Sequence, residues 1–206
     1  MRIEFHQATR KFPGQIVFKN LNLKIEEGSK WAILGGNGSG KSTFLKTAYG
    51  ALSLSEGEVS HHLKGQKISL QDAALKISYA APYLELIEEL SLQEFLNRYK
   101  DFRPFRSGVN AEFILEQTLL KEARKKKIRN LSSGMKQRLR LGLALFSAAE
   151  LIILDEPTSN LDADGVQWYR NLLASELADR SLLIGTNYNE DEAFICDQSL
   201  RITDYQ

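Results

Sequence analysis

The chain has 206 residues, 43% of them hydrophobic and 26% charged, a balance that suits a folded globular protein and excludes extended disorder. Lys and Arg number 27 against 26 Asp and Glu, so the formal charge of 27 − 26 = +1 gives no global pull towards nucleic acid or an anionic membrane. The lone Cys196 excludes an internal disulfide, and the length favours one domain, 1–206, with a sizeable core.

In chain order, Met1 to His6 carries no apolar run of the signal-peptide kind. Residues 2–34 predict short strands: Ile16-Val17-Phe18 and the alternating Leu21, Leu23 and Ile25, closed by a turn at Glu27-Gly28. Ala32-Ile33-Leu34 is an apolar strand running into a glycine-rich stretch, and a helix is predicted from Lys41 to about Ala51. Residues 56–80 predict further short strands with turns at Glu56-Gly57 and Lys64-Gly65. Long helical stretches follow from Ser91 to Arg129, within a helical insert of approximately 83–148.

Leu139, Leu141, Leu143 and Leu145 alternate as in a strand. Yet Gly134 to Ala149 holds no Val, Ile or Thr and is rich in helix formers, which predicts a helix. The most apolar run, Leu141 to Leu154, contains Glu150 and is too short to span a bilayer, so no direct membrane insertion is expected. Leu151 to Leu154 and Ser181 to Gly185 read as buried strands flanking a helix around 163–178. Apolar strands alternating with helices predict an α/β fold with a mixed, mainly parallel sheet.

Gly35, Gly36, Asn37, Gly38, Ser39, Gly40, Lys41 and Ser42 match the phosphate-loop (Walker A) pattern, between a predicted strand and a predicted helix that continues through Thr43. The glycines let backbone N–H groups turn inward around phosphate oxygens, and the helix N-terminus adds its dipole at the same point. Lys41 supplies a cation for the β- and γ-phosphates, and the Ser42 hydroxyl a ligand for Mg²⁺. Leu151-Ile152-Ile153-Leu154 then ends in Asp155 and Glu156. Such strands deliver their carboxyl ends to the ligand crevice, where Asp155 would hold Mg²⁺ and Glu156 would polarise an attacking water.

Leu131-Ser132-Ser133-Gly134-Met135-Lys136-Gln137-Arg138 resembles the LSGGQxQR signature of ATP-binding cassette (ABC) proteins. Asp155 to Asp162 resembles that family's Walker B segment running into the D-loop, which assigns Asp162 to the latter. The resemblance implies a P-loop NTPase fold with an N-terminal antiparallel β subdomain and a helical insert subdomain. It implies ATP and Mg²⁺ as ligands and a homodimer on ATP binding, with Ser132, Ser133, Gly134 and Met135 closing on the nucleotide of the partner subunit. It also implies that Phe12 stacks on adenine; a Phe between Lys11 and Pro13 is as readily explained by local packing.

Two positions depart from the family pattern. Ala81-Pro82-Tyr83 stands where a Gln is usual, and Asn187 stands where a switch histidine is usual. Asn187 can donate a hydrogen bond to a γ-phosphate but cannot carry charge. His6, His61 and His62 read as exposed or turn histidines, and the basic run Lys121 to Arg129 as a solvated face.

The function implied is the ATP-hydrolysing subunit of an ABC transporter, similar to compact haem-exporter ATPases, cytoplasmic and peripheral to the membrane through a transmembrane permease subunit. Tyr83, Leu84, Leu86, Ile87 and Leu90 are candidate permease contacts or core residues. The alternatives are a non-transport cassette ATPase in cofactor assembly or translation, and a P-loop phosphotransferase.

Overall fold

A computed structural model describes residues 1–206, which divide into two compact units. The first comprises Met1–Tyr79, Ala149–Glu156 and Asp179–Gln206; the second comprises Ala80–Ala148 and Pro157–Ala178.

In chain order the elements are β1 (Arg2–Phe12), β2 (Gln15–Ile25), β3 (Lys30–Leu34), α1 (Lys41–Ala48), β4 (Glu56–Leu63), β5 (Gln66–Ile68), α2 (Leu70–Leu75) and β6 (Ile77–Ala80). They continue with α3 (Leu92–Phe102), α4 (Ala111–Gln117), α5 (Ser133–Phe146), β7 (Leu151–Asp155), α6 (Ala163–Glu176), β8 (Ser181–Thr186), α7 (Glu190–Ala193) and β9 (Gln198–Arg201).

The first unit holds both sheets. An antiparallel sheet runs β2-β1-β4-β5, and a five-stranded sheet runs β6-β7-β8-β3-β9, with β7–β8, β8–β3 and β3–β9 all parallel. Phe44 of α1 is fully buried between them in the core, stacked on Phe5 with centroids 5.0 Å apart and edge-on to Phe18 at 6.0 Å. Burying such a ring stabilises by about 1.5–3 kcal/mol, so this phenylalanine ties the phosphate-loop helix to the antiparallel sheet.

Over residues 2–34, where short strands were expected, two long strands, β1 and β2, precede the short β3. Register shifts break β1 between Phe5 and Ala8 and again before Lys11, with Gln7 and Asn20 at positive φ. Each bulge resets the inside–outside alternation, so one long strand reads as fragments. The strands expected over 56–80 give way at Leu70–Leu75 to α2, capped by the Ser69 hydroxyl accepting from Asp72 N–H. Only Ala73 of this helix is buried, so it has no apolar period to read. His61 is fully inside, not exposed as expected: on β4, its Nε2 donates to Ala48 O at 2.7 Å.

In the second unit the expected long helices are interrupted. α3 stops at Phe102, with Arg103 extended ahead of Pro104, and α4 restarts under an Asn110 cap. α5 is helical despite its alternating leucines. From Leu141 to Phe146 every residue is buried, so its apolar surface wraps all round and shows no single face. Pro157–Ala178, with α6, belongs to this unit although the chain visits β7 first. No helix is long and apolar enough to cross a membrane.

Candidate active site

The parallel register puts Asp155 opposite Gly185 and Leu34 opposite Thr186, so β7, β8 and β3 end level at one edge of the sheet. Leu34 feeds the loop Gly35 to Gly40, and α1 begins at Lys41. Gly40 has φ +105°, and a side chain there would collide with Val17, so this turn into the helix admits glycine alone. The turn leaves Gly36, Asn37 and Gly38 exposed while Lys41 is only 4% exposed.

Lys41 Nζ donates to Gly35 O at 2.9 Å and Gly36 O at 3.1 Å, and lies 3.5 Å from Glu156 Oε1. The Ser42 hydroxyl lies near enough to Asp155 to act on its carboxyl, and Tyr79 donates its own hydroxyl to Asp155 Oδ2 at 3.3 Å. Phosphate-loop cation, hydroxyl and both carboxylates therefore meet within the first unit, at the carboxyl end of its parallel sheet.

Asp155 is 5% exposed. Burial pushes its carboxyl above the ordinary carboxylate range; the Ser42 hydroxyl opposes this, Glu156 adds to it, and Tyr79 and Lys41 pull it down again. Its Oδ1 is buried with no hydrogen-bond partner. A buried carboxylate oxygen left unpaired beside a hydroxyl is the donor set a hard cation takes up, so these residues fit Mg²⁺. Burial also raises the Tyr79 phenol, with the Asp155 charge adding to the effect, and keeps it a donor.

Sequence reasoning missed two supports of Asp155. One is Tyr79. The other is Gly185, where a Cβ would lie 2.7 Å from Asp155 Oδ1 and 2.8 Å from Leu45 Cδ1, so nothing larger leaves room for the carboxylate. The signal was present as a glycine interrupting an apolar strand. Glu156 itself has φ +46°, an unusual conformation for a side-chain-bearing residue, and its N–H is held by Gly185 O at 2.8 Å. Asn187 lies just beyond β8 and is exposed; Thr43 is half-buried on α1. Phe12 ends β1, is 40% exposed, and carries the Arg10 guanidinium over one ring face at 4.3 Å.

The signature residues lie together in the second unit. Ser132 caps α5, its hydroxyl accepting from Met135 N–H at 3.2 Å. Ser133 is the first helical residue, and both serines are exposed. A Cβ on Gly134 would meet Asn160 O at 3.0 Å, so the glycine lets the segment after Pro157 approach the helix start. Gln137, part of the signature segment but given no role of its own there, is fully buried and donates to Pro157 O at 2.9 Å. Asp162 caps α6 through Gly165 N–H at 2.8 Å.

Residues 18–159 match the family model described as ABC transporter. The uncharacterized ABC transporter ATP-binding protein YhcH of Bacillus subtilis is 29% identical over 95% of this chain, which spans 65% of that protein's length. The lantibiotic transport ATP-binding protein SrtF of Streptococcus pyogenes is 30% identical over 84% of this chain and 74% of its own. In fold, the chain is similar to the ATP-binding cassette MJ0796, solved as a dimer in a post-hydrolysis state with ADP and Pi. The TM-score is 0.80 and the identity 24%, over 98% of this chain and 95% of that one. With a family match across most of its length, the chain belongs to the ABC transporter family, as an ATP-binding cassette.

Proposed function

We propose that this cassette binds Mg-ATP, pairs with a second copy around it, and hydrolyses it to drive a transmembrane permease subunit. The observation that carries the reading is the joining of Lys41, Ser42, Asp155 and Glu156 at one sheet edge. Gly35 to Thr43 would cradle the phosphates with backbone amides. Lys41 would exchange its two carbonyl partners for β- and γ-phosphate oxygens, so the cation is already at the site and only its partners change. Ser42 and Asp155 would hold Mg²⁺, which when bound neutralises phosphate charge. Glu156, freed from Lys41, would accept the proton of the attacking water as oxygen bonds to the γ-phosphorus and the β–γ bridge breaks. Asn187 would donate a hydrogen bond to the γ-phosphate, and Phe12 would offer the base the ring face not covered by Arg10.

Ser132, Ser133, Gly134 and Met135, at a capped helix N-terminus, form an anion cradle suited to the γ-phosphate of the partner's nucleotide, with Asp162 in the D-loop beside it. Two copies related by a two-fold axis would bury two ATP molecules, making nucleotide affinity into dimer affinity. The dimeric, ADP- and Pi-bound state of MJ0796 supports this cycle. In this reading the two units work as one ATPase domain, peripheral to the membrane. The permease contact would include Tyr83, Leu84 and Ile87, which are 91%, 39% and 55% exposed, and the half-buried Leu86 and Leu90. Kinship to SrtF supports transport over assembly or translation roles, and the similarity to haem-exporter ATPases is part of the proposal.

The test is Glu156→Gln. Phosphate release should fall by roughly 10²–10⁴-fold, and light scattering should find a dimer with ATP and a monomer without it. Unchanged turnover removes Glu156 as the base, and a monomer at saturating ATP removes the sandwich.

A further inference from the structure

We infer that Tyr79 is a positioning residue, which holds one oxygen of Asp155 so that the other faces the Mg²⁺ of the nucleotide; this deepens the Mg-ATP reading and rests on it. Tyr79 is on β6, next to β7 in the sheet, and its hydroxyl reaches Oδ2 of Asp155 at 3.3 Å. Oδ1 of the same carboxylate is buried and has no hydrogen-bond partner. The two oxygens thus have different surroundings: one is engaged by the phenol, and the other is left to a cation or to its water.

The ring is clamped. It stacks on Tyr49, with centroids 4.8 Å apart and planes 29° from parallel, and Tyr49 is the residue that closes α1. The phosphate-loop helix, through the residue that caps its end, therefore steadies the phenol that steadies the Walker B carboxylate. A phenylalanine would fill the same space and stack as well, so packing alone gives no reason for the hydroxyl. At 3.3 Å the bond is long for O–H···O, and bonds of this kind tighten when a site takes up its ligand. Groups that orient a metal's own ligands commonly tune affinity by about 10–100-fold.

The experiment uses Mn²⁺ as a paramagnetic stand-in for Mg²⁺ with a non-hydrolysable ATP analogue, read by electron paramagnetic resonance. Tyr79→Phe should weaken Mn²⁺ binding by at least about tenfold. Its affinity for the analogue in EDTA should match wild type, which also shows that the variant is folded. Tyr49→Leu, which keeps the hydroxyl and removes the stack, should weaken Mn²⁺ by about threefold. Equal Mn²⁺ affinity in Tyr79→Phe and wild type overturns the inference. Equal loss with and without metal also overturns it, because the tyrosine is then merely structural. A Tyr49→Leu constant equal to wild type overturns the clamp. If wild type itself binds no Mn²⁺ with nucleotide, the Mg-ATP reading falls first, and the two failures are told apart.

Discussion

The two units carry functional residues in opposite ways. In the first unit those residues touch one another: Lys41 reaches Glu156, Ser42 and Tyr79 reach Asp155, and Gly185 makes room for the carboxylate. In the second unit Ser132 and Asp162 bond only to the starts of their own helices, and Ser132 and Ser133 face outward. One unit brings its candidate residues together within a single chain, whereas the other leaves its candidate serines exposed. Nucleotide affinity should therefore belong to the first unit, and nucleotide-dependent association to the second.

The strongest way to break this comparison is Lys41→Ala. Removing a buried cation that serves phosphate oxygens should weaken ATP binding by about 10²-fold in nucleotide titration. Undiminished affinity would take the phosphate loop out of the first unit's function. Ser133→Arg should leave ATP affinity of the monomer unchanged, while weakening ATP-dependent dimerisation of the Glu156→Gln protein by at least about tenfold, as measured by light scattering. A fall in monomer affinity instead would mean that the second unit serves its own chain's nucleotide.

The smallest effect separates the units by pH. Burial lowers the pKa of His61, so the folded first unit prefers the neutral ring, although the Ala48 carbonyl bond opposes the shift. The unfolded chain takes up a proton near the ordinary value of 6.5, which the folded chain resists. This contribution to stability is thus fully present above pH 6.5 and declines as pH falls below it. Denaturant midpoints at pH 7.5 and 5.5 should differ less in His61→Gln than in wild type. An equal pH dependence would assign it to other groups.

Much of the first unit's candidate site was legible because it is local. Gly35 to Ser42 and Asp155-Glu156 are continuous segments whose spacing is dictated by one turn and one strand end. Tyr79 was not legible, because only the sheet order brings β6 beside β7. His61 misled for a similar reason: its neighbour Ala48 is distant in sequence, and adjacent histidines gave no hint that one of them points inward. β9 and α7 carried too little pattern, with Leu200 the single buried residue of the edge strand and Glu192 that of the short helix. Ser132 and Ser133 look alike in the sequence, and telling the cap from the first helical residue needed the helix start to be known to one residue.

The strand that launches the phosphate loop has as its two neighbours strands that follow much later in the sequence. Leu34 of β3 pairs with Thr186 of β8 on one side and Arg201 of β9 on the other. During synthesis this strand would leave the ribosome with both edges open, and could not close until β8 and β9 had been translated. Non-local pairing of this kind slows folding and exposes sheet edges meanwhile. A nascent cassette would thus gain its grip on phosphate late and all at once, and a truncation just before β8 should abolish that grip although every Walker A residue is present.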